Sequence, residues 1–200
     1  MRPFNQQGFS LIEVIVVIGV IAVISAMTIP FTSRSIQGRR VQADAQTVNG
    51  MIGLAKMRAS SGFTRARVRA NLGERTLVLE QWDKDDAEWV QNGGVEVLSD
   101  TVAWGFGGLD APPPDTQVNL EQSPPCRIGL DAASDAIDGT ACVVFNSRGL
   151  PIDGGGLLYG GHALYLTDGS VTWGTTITAT PRIRLWSTSS GAVAEWGERQ

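Results

Sequence analysis

The side chains whose type and spacing bear on chemistry are few: His162, Cys126 and Cys142, the acidic run Asp83-Lys-Asp-Asp-Ala-Glu88, two arginine-bearing stretches, and Glu13. A hydrolytic triad would have to use His162, the single histidine, and no Gly-x-Ser-x-Gly elbow accompanies it. Within Gly160-Gly-His-Ala163 it reads as a solvent-facing or packed strand residue rather than a general base. The run Asp83 to Glu88 lacks the spacing of an EF-hand loop, with its central Gly and terminal Glu, and fits an acidic hairpin turn better than a calcium site. One His and two distant Cys make no metal centre. Cys126 and Cys142 either form a disulfide, stabilising by roughly 3 kcal/mol in the chain-entropy model, or remain two free, buried thiols. No enzyme, cofactor or metal is expected.

Arg65, Arg67 and Arg69 recur at period two, as do Arg182 and Arg184, so each set projects from one face of a strand. Guanidinium groups in such rows are of the type that contacts phosphate. The charge distribution argues against a nucleic-acid partner. From Thr76 to Gln200 six Lys or Arg stand against seventeen Asp or Glu, net −11, whereas Arg34 to Arg75 carry nine against two, net +7. The acidic part repels DNA, and Arg on an exposed strand also discourages edge pairing. Such a dipolar chain suits complementarity between head and stalk or between subunits, with an ordinary solvated surface as the default alternative. The six Trp read as core or subunit contacts, because only Trp186 adjoins a basic run.

Glu13 is the anomaly. It is the only ionisable side chain among the twenty-one residues from Phe9 to Ile29, a run long enough for a helix to cross ~30 Å of hydrocarbon. A carboxylate in such a run costs roughly 2.5–3.5 kcal/mol on insertion scales, so a specific partner must offset it. The segment is expected to span a membrane, and a signal anchor with one tolerated Glu near its end is the plainer alternative. Pro30 is expected to kink or loosen the helix. Beyond it Val41, Ala45, Val48, Ile52, Ala55 and Ala59 advance by alternating steps of four and three. They mark one face of an amphipathic helix laid on a core and ended by Ser60-Ser-Gly62.

The remaining elements follow from composition and alternation. A hydrophobic content of 42% with 24 Gly, 9 Pro and only 18% charge points to a loop-rich β protein. The about 170 residues beyond the apolar run suffice for one domain with a core. Strands are read at Thr64–Asn71 and Thr76–Trp82, joined by the loop Leu72-Gly-Glu-Arg75, then at Ala87–Gln91, Val95–Leu98, Thr101–Phe106 and Ala141–Phe145. Ala163–Thr167 and Ser170–Trp173 form a hairpin whose Asp168-Gly169 signals a type I′ turn, and Thr175–Thr180 and Arg182–Trp186 supply the last strands. Asp110-Ala-Pro-Pro-Pro-Asp115 cannot join a sheet interior. Glu121–Gly139 reads as a long variable loop, and the tail from Ser187 as loose. The expected fold is α+β: a long N-terminal helix, half membrane-spanning and half amphipathic, packed on an antiparallel β-sheet head.

Gly8-Phe9-Ser10-Leu11-Ile12-Glu13 and the apolar run after it resemble the processing site of type IV prepilins and type II secretion pseudopilins. The resemblance implies a leader over residues 1–8, cut after Gly8 by a prepilin peptidase that methylates the new amino terminus of Phe9. It further implies a transmembrane and assembly helix over 9–30, with Glu13 and Pro30 serving assembly, an amphipathic helix over 31–62, and a β-rich periplasmic head over 63–200. Glu13 would then be the counter-ion for the charged amine of a neighbouring subunit's Phe9. The implied partners are the peptidase, other pilin or pseudopilin subunits and an inner-membrane assembly platform. The implied location is the bacterial inner membrane, crossed once, and then the assembled filament.

No Ala-x-Ala-like site of ordinary secretion follows the leader. Arg34, Arg39 and Arg40 do not favour a cytoplasmic leader by the positive-inside rule, so it is the cytoplasmic action of the peptidase that places the head outside. The order of later motifs resembles the GspH/FimT branch: Leu54-Ala-Lys-Met-Arg-Ala59 before an Arg-rich strand, a Trp-bearing hairpin at Trp82 to Trp89, Phe145-Asn-Ser-Arg-Gly149, and Pro181-Arg-Ile-Arg-Leu185, where Pro181 stands in place of the branch's Gly. That branch implies a minor (pseudo)pilin, of a kind some members of which take part in DNA uptake. The alternatives are a DNA-binding minor pilin and a signal-anchored extracytoplasmic binding module that does not polymerise.

Overall fold

A computed structural model describes residues 10–105, 107, 122–189 and 196–199, and within them the side chains of all but 27–37 and 189. The chain divides into two compact units, Met1–Gln37 and Gly38–Gln200. Among the described residues there is one helix, α1, over Leu11–Ser61, so the backbone expected to kink or loosen at Pro30 stays helical through that residue. In the first unit the apolar side chains from Leu11 to Ile24 are exposed on every face of α1, Leu11 at 79% and Ile18 at 61%. A helix that is hydrophobic all round is one that expects burial in something else. Among the described residues no helix is long and apolar enough to cross a membrane. The span expected over Phe9–Ile29 reaches past the described side chains at both ends.

In the second unit α1 is amphipathic in the manner its spacing predicts: Val41, Ala45, Val48, Ile52, Ala55 and Ala59 are each at most 1% exposed. Full burial of a side chain such as Ile52 contributes about 1.5–3 kcal/mol. These residues share one buried cluster with Val68, Leu79, Val143, Phe145, Leu164 and Leu166. The strands are β1 Ala66–Asn71, β2 Thr76–Asp83, β3 Glu88–Val97, β4 Ala103–Trp104, β5 Cys126–Arg127, β6 Ala136–Ile137, β7 Thr140–Phe145, β8 Pro151–Ile152, β9 His162–Thr167, β10 Val171–Ile177, β11 Ile183–Ser189 and β12 Gly197–Arg199. They form a first sheet ordered β3-β2-β1-β7-β8, a second ordered β12-β11-β10-β9-β4, and the small pair β5-β6. Every pairing is antiparallel. The fold is thus α+β, a helix packed on antiparallel sheets.

β1 is the central strand of the first sheet, and its two faces differ. Ala66, Val68 and Ala70 turn to the helix and are fully buried in the common cluster. Arg67 and Arg69, at the alternate positions, turn the other way. Register sets Arg67 opposite Glu80 of β2 and Arg69 opposite Cys142 of β7. The β1–β2 turn forms because the Asn71 carboxamide oxygen accepts the amides of Gly73 and Glu74, a local alternative to the ladder that Asn favours.

Several expectations are corrected. Ala87–Gln91 and Val95–Leu98 are parts of one strand, β3, accommodated by a register shift between Val78 and Glu80. Of Thr101–Phe106 only Ala103–Trp104 pairs, and Phe106 and Asp110–Asp115 lie outside the described residues. The loop read over Glu121–Gly139 carries the β5-β6 pair. The tail is not loose from Ser187: β11 continues to Ser189 and receives β12, with Arg199 Nε donating to Ser187 Oγ at 2.7 Å. At the β9–β10 connection only Gly169 has positive φ, 86°, whereas a type I′ turn needs it at both central residues. The Asp168 carboxylate instead accepts the amides of Ser170 and Val171. Partial burial pushes that carboxyl upward, but these hydrogen bonds outweigh it and hold it below its usual range.

Candidate functional site

Gly8 and Phe9 lie outside the described residues, as does the side chain of Pro30. Glu13 is described. It occupies the first turn of α1, with its amide hydrogen-bonded to the Ser10 carbonyl at 3.1 Å and near Ser10 Oγ at 3.3 Å. Ser10 thereby satisfies donors that a helix start leaves open. The Glu13 side chain is exposed between Ile12 and Val14, themselves 67% and 47% exposed. Among the described residues its carboxylate is in no ion pair.

The second concentration of polar residues is the outer face of the first sheet. Arg67 Nε donates to Glu80 Oε2 at 2.6 Å and Arg69 Nε to Oε1 at 2.9 Å. The Arg67 and Glu80 side chains are only 4% and 7% exposed. Burial lowers the Arg67 pKa from its ordinary value, against the pull of Glu80. Arg67 also donates to the Arg127 carbonyl, and its guanidinium carbon lies 4.1 Å from the Trp89 ring centroid. Trp89 meets Trp82 edge-on at 5.3 Å. Arg65, on the same face, donates to the Leu130 carbonyl at 2.8 Å. The loop that supplies these carbonyls is held to β7 by a disulfide between Cys126 and Cys142, both buried.

The row of arginines at period two is therefore on one face, but it is covered rather than presented. Arg67 is engaged by Glu80, the Arg127 carbonyl and the Trp89 ring, the placement of a packed residue. Arg182 and Arg184 belong to the end of the second sheet and do not join it. Arg184 Nε lies 3.8 Å from Glu198 Oε1, and Arg182 is exposed. Glu80 and Arg127 were not singled out by sequence reasoning, and Trp89 was named only as the end of a Trp-bearing hairpin. The signal that finds Glu80 is strand register, since it is the cross-strand partner of Arg67.

His162 is 2% exposed. Its Nε2 lies 2.9 Å from the Ile152 carbonyl, which fixes Nε2 as the donor and leaves Nδ1 to accept from Ser123 Oγ at 3.4 Å. Burial lowers its pKa more than the Ile152 carbonyl, Asp153 and the Cys142 backbone raise it, so it is a neutral packed residue. Ser123 Oγ already accepts the Ala163 amide at 3.0 Å and is buried, out of reach of a substrate. The run Asp83 to Glu88 forms the β2–β3 turn, where Asp83 Oδ1 accepts the amides of Asp85 and Asp86. Among the described residues no group of three side chains is placed to hold a metal ion. Arg65, Arg67, Trp89, Pro124, Arg127 and His162 border a groove of about 260 Å³.

Residues 3–29 match the family described as the prokaryotic N-terminal methylation motif. No curated protein matches the chain. Two solved structures of the minor pseudopilin EpsH from the type II secretion system of Vibrio cholerae are similar. One is 15% identical with a TM-score of 0.44, covering 74% of this chain and 93% of that one. The other is 12% identical with a TM-score of 0.36, covering 80% and 96%. The chain thus carries the methylation motif over residues 3–29, and the residues described after it form a helix-on-sheet α+β fold.

Proposed function

We propose that the chain is a minor pilin-like subunit of a type II secretion pseudopilus or type IV pilus, structural rather than catalytic. A prepilin peptidase removes residues 1–8 and methylates Phe9. The apolar helix holds the protein in the bacterial inner membrane with its head in the periplasm, and an assembly platform then feeds it into a noncovalent filament with other subunits. There Glu13 neutralises the amine of a neighbouring Phe9, and Pro30 lies within α1 between its assembly part and the part that carries the head. The observation that carries this reading is the methylation motif over residues 3–29, which contains Gly8-Phe9-Ser10-Leu-Ile-Glu13. An exposed, all-apolar helix surface supports it, because such a surface needs lipid or like helices around it.

Mass spectrometry of the mature amino terminus tests the proposal. An N-methylated Phe9 is the expected result, and an intact Met1 overturns it in favour of a signal-anchored module. Gly8→Leu is expected to block cleavage; an unchanged mature terminus in that variant refutes the assigned cut.

A further inference from the structure

We propose that the groove on the outer face of the first sheet is a carboxylate-binding pocket, which takes an acidic side chain presented by another protein. Three guanidinium groups line it, of Arg65, Arg67 and Arg127, against the one carboxylate of Asp153, and behind Arg67 lie Glu80 and Arg69. Glu80 is divided between Arg67 and Arg69, and Asp153 Oδ1 is turned to the amides of Gly155 and Leu157, each at 2.9 Å. Arg65 and Arg127 are half-buried and donate to carbonyl oxygens, of Leu130 and of Ser134. Among the described residues neither is in an ion pair, and the loop's Asp131, Asp135 and Asp138 pair with none of these arginines. Positive charge taken partly out of water with only dipoles for partners favours an anion beside it.

Two further features point into the same space. A Cβ on Gly154 would lie 2.7 Å from Arg127 Nε, so a glycine is what leaves that guanidinium its place at the groove. Trp89, which also lines the groove, has a buried Nε1–H with no acceptor among the described residues. The planar guanidinium fork matches a carboxylate in shape and charge. A volume of about 260 Å³ suits one side chain rather than a run of nucleotides, and Trp89 with Pro124 gives its aliphatic stem an apolar wall. The ligand is thus a Glu or Asp of a partner protein, and the pocket stands whether or not the chain enters a filament.

The test is a titration of the full chain in detergent with the peptide acetyl-Ala-Glu-Ala-amide, following the Trp89 indole and arginine Nε–H resonances. The Gln peptide and inorganic phosphate are the other arms. Saturable shifts with the Glu peptide are expected, with binding about tenfold weaker for the Gln peptide and about tenfold weaker in either Arg127→Gln or Arg65→Gln. Circular dichroism identifies a variant that has failed to fold. No saturable shift of the unmodified chain overturns the proposal without any variant, as does equal affinity for the Glu and Gln peptides. Tighter binding of phosphate than of the Glu peptide overturns the carboxylate assignment and points to a nucleic-acid backbone.

Discussion

Glu80 and Glu13 are carboxylates in different company, a polar sheet face and an apolar helix, and they are accommodated in different ways. Glu80 is 5% exposed and has two arginines within 3 Å, delivered by the register of adjacent strands. Glu13 stands on a bare apolar helix surface with no ion-pair partner among the described residues. The first charge is balanced by the chain that carries it. The second has its balance left open, which is what a residue reserved for another molecule looks like. On the proposed function the difference separates a determinant of folding from a determinant of assembly, and each half can be attacked by itself.

The largest effect is expected at the internal pair. Glu80→Ala leaves the buried Arg67 uncompensated and should cost about 3–5 kcal/mol, read as a shift in urea unfolding followed by the fluorescence of the adjacent Trp82 and Trp89. Replacing both partners, Arg67→Met with Glu80→Leu, should recover most of that loss. An unchanged midpoint in Glu80→Ala would break the comparison. Cys126→Ser with Cys142→Ser comes next, at about 3 kcal/mol in the chain-entropy model. The bond closes a separation of 16 residues and holds the loop whose Arg127 carbonyl receives Arg67. Unfolding with and without reductant measures it, and no dependence on reductant would separate the loop from the pair's stability.

His162 sharpens the contrast in a third way, since its charge is avoided rather than balanced. Burial holds its folded pKa below the ordinary 6.5, so the unfolded chain binds the extra proton first. Its contribution is complete above about pH 6.5 and falls as the pH drops toward the folded value, by up to about 1.4 kcal/mol per unit. The slope of stability between pH 7.5 and 5 should flatten in His162→Gln; an equal slope would assign the titration elsewhere. Glu13→Ala should have the smallest effect on the fold, within about 0.5 kcal/mol for the head, while the incorporation into filaments that the proposed function requires should be lost. Normal incorporation of that variant removes the counter-ion role, and a destabilised head would erase the distinction between the two glutamates.

Sequence alone was informative where a contact is local. The four-three spacing of Val41 to Ala59 named the buried helix face residue by residue, since one helix turn repeats itself without outside help. Period two placed Arg67 and Arg69 on one face but said nothing of what lies over it. The cover comes from Arg127 and Leu130, some sixty residues on, and only the pairing of β1 with β7 and the Cys126–Cys142 bond brings it there. The β12 strand was missed for a like reason: Gly197–Arg199 has no alternation of its own and is a strand because β11 offers it an edge. At Asp168-Gly169 the dipeptide signalled a tight turn, but the carboxylate's hold on two amides decided its form.

The central position of β1 has a consequence in time. Its pairing with β2 is a hairpin, closed in ~1–10 μs once both strands exist. Its pairing with β7 waits for the whole chain between Asn71 and Thr140, and at ribosomal speeds of about 5–20 residues per second that wait lasts on the order of several seconds. During it Arg67 and Glu80 can meet with nothing above them, and the last strands to emerge, not the first, close the head.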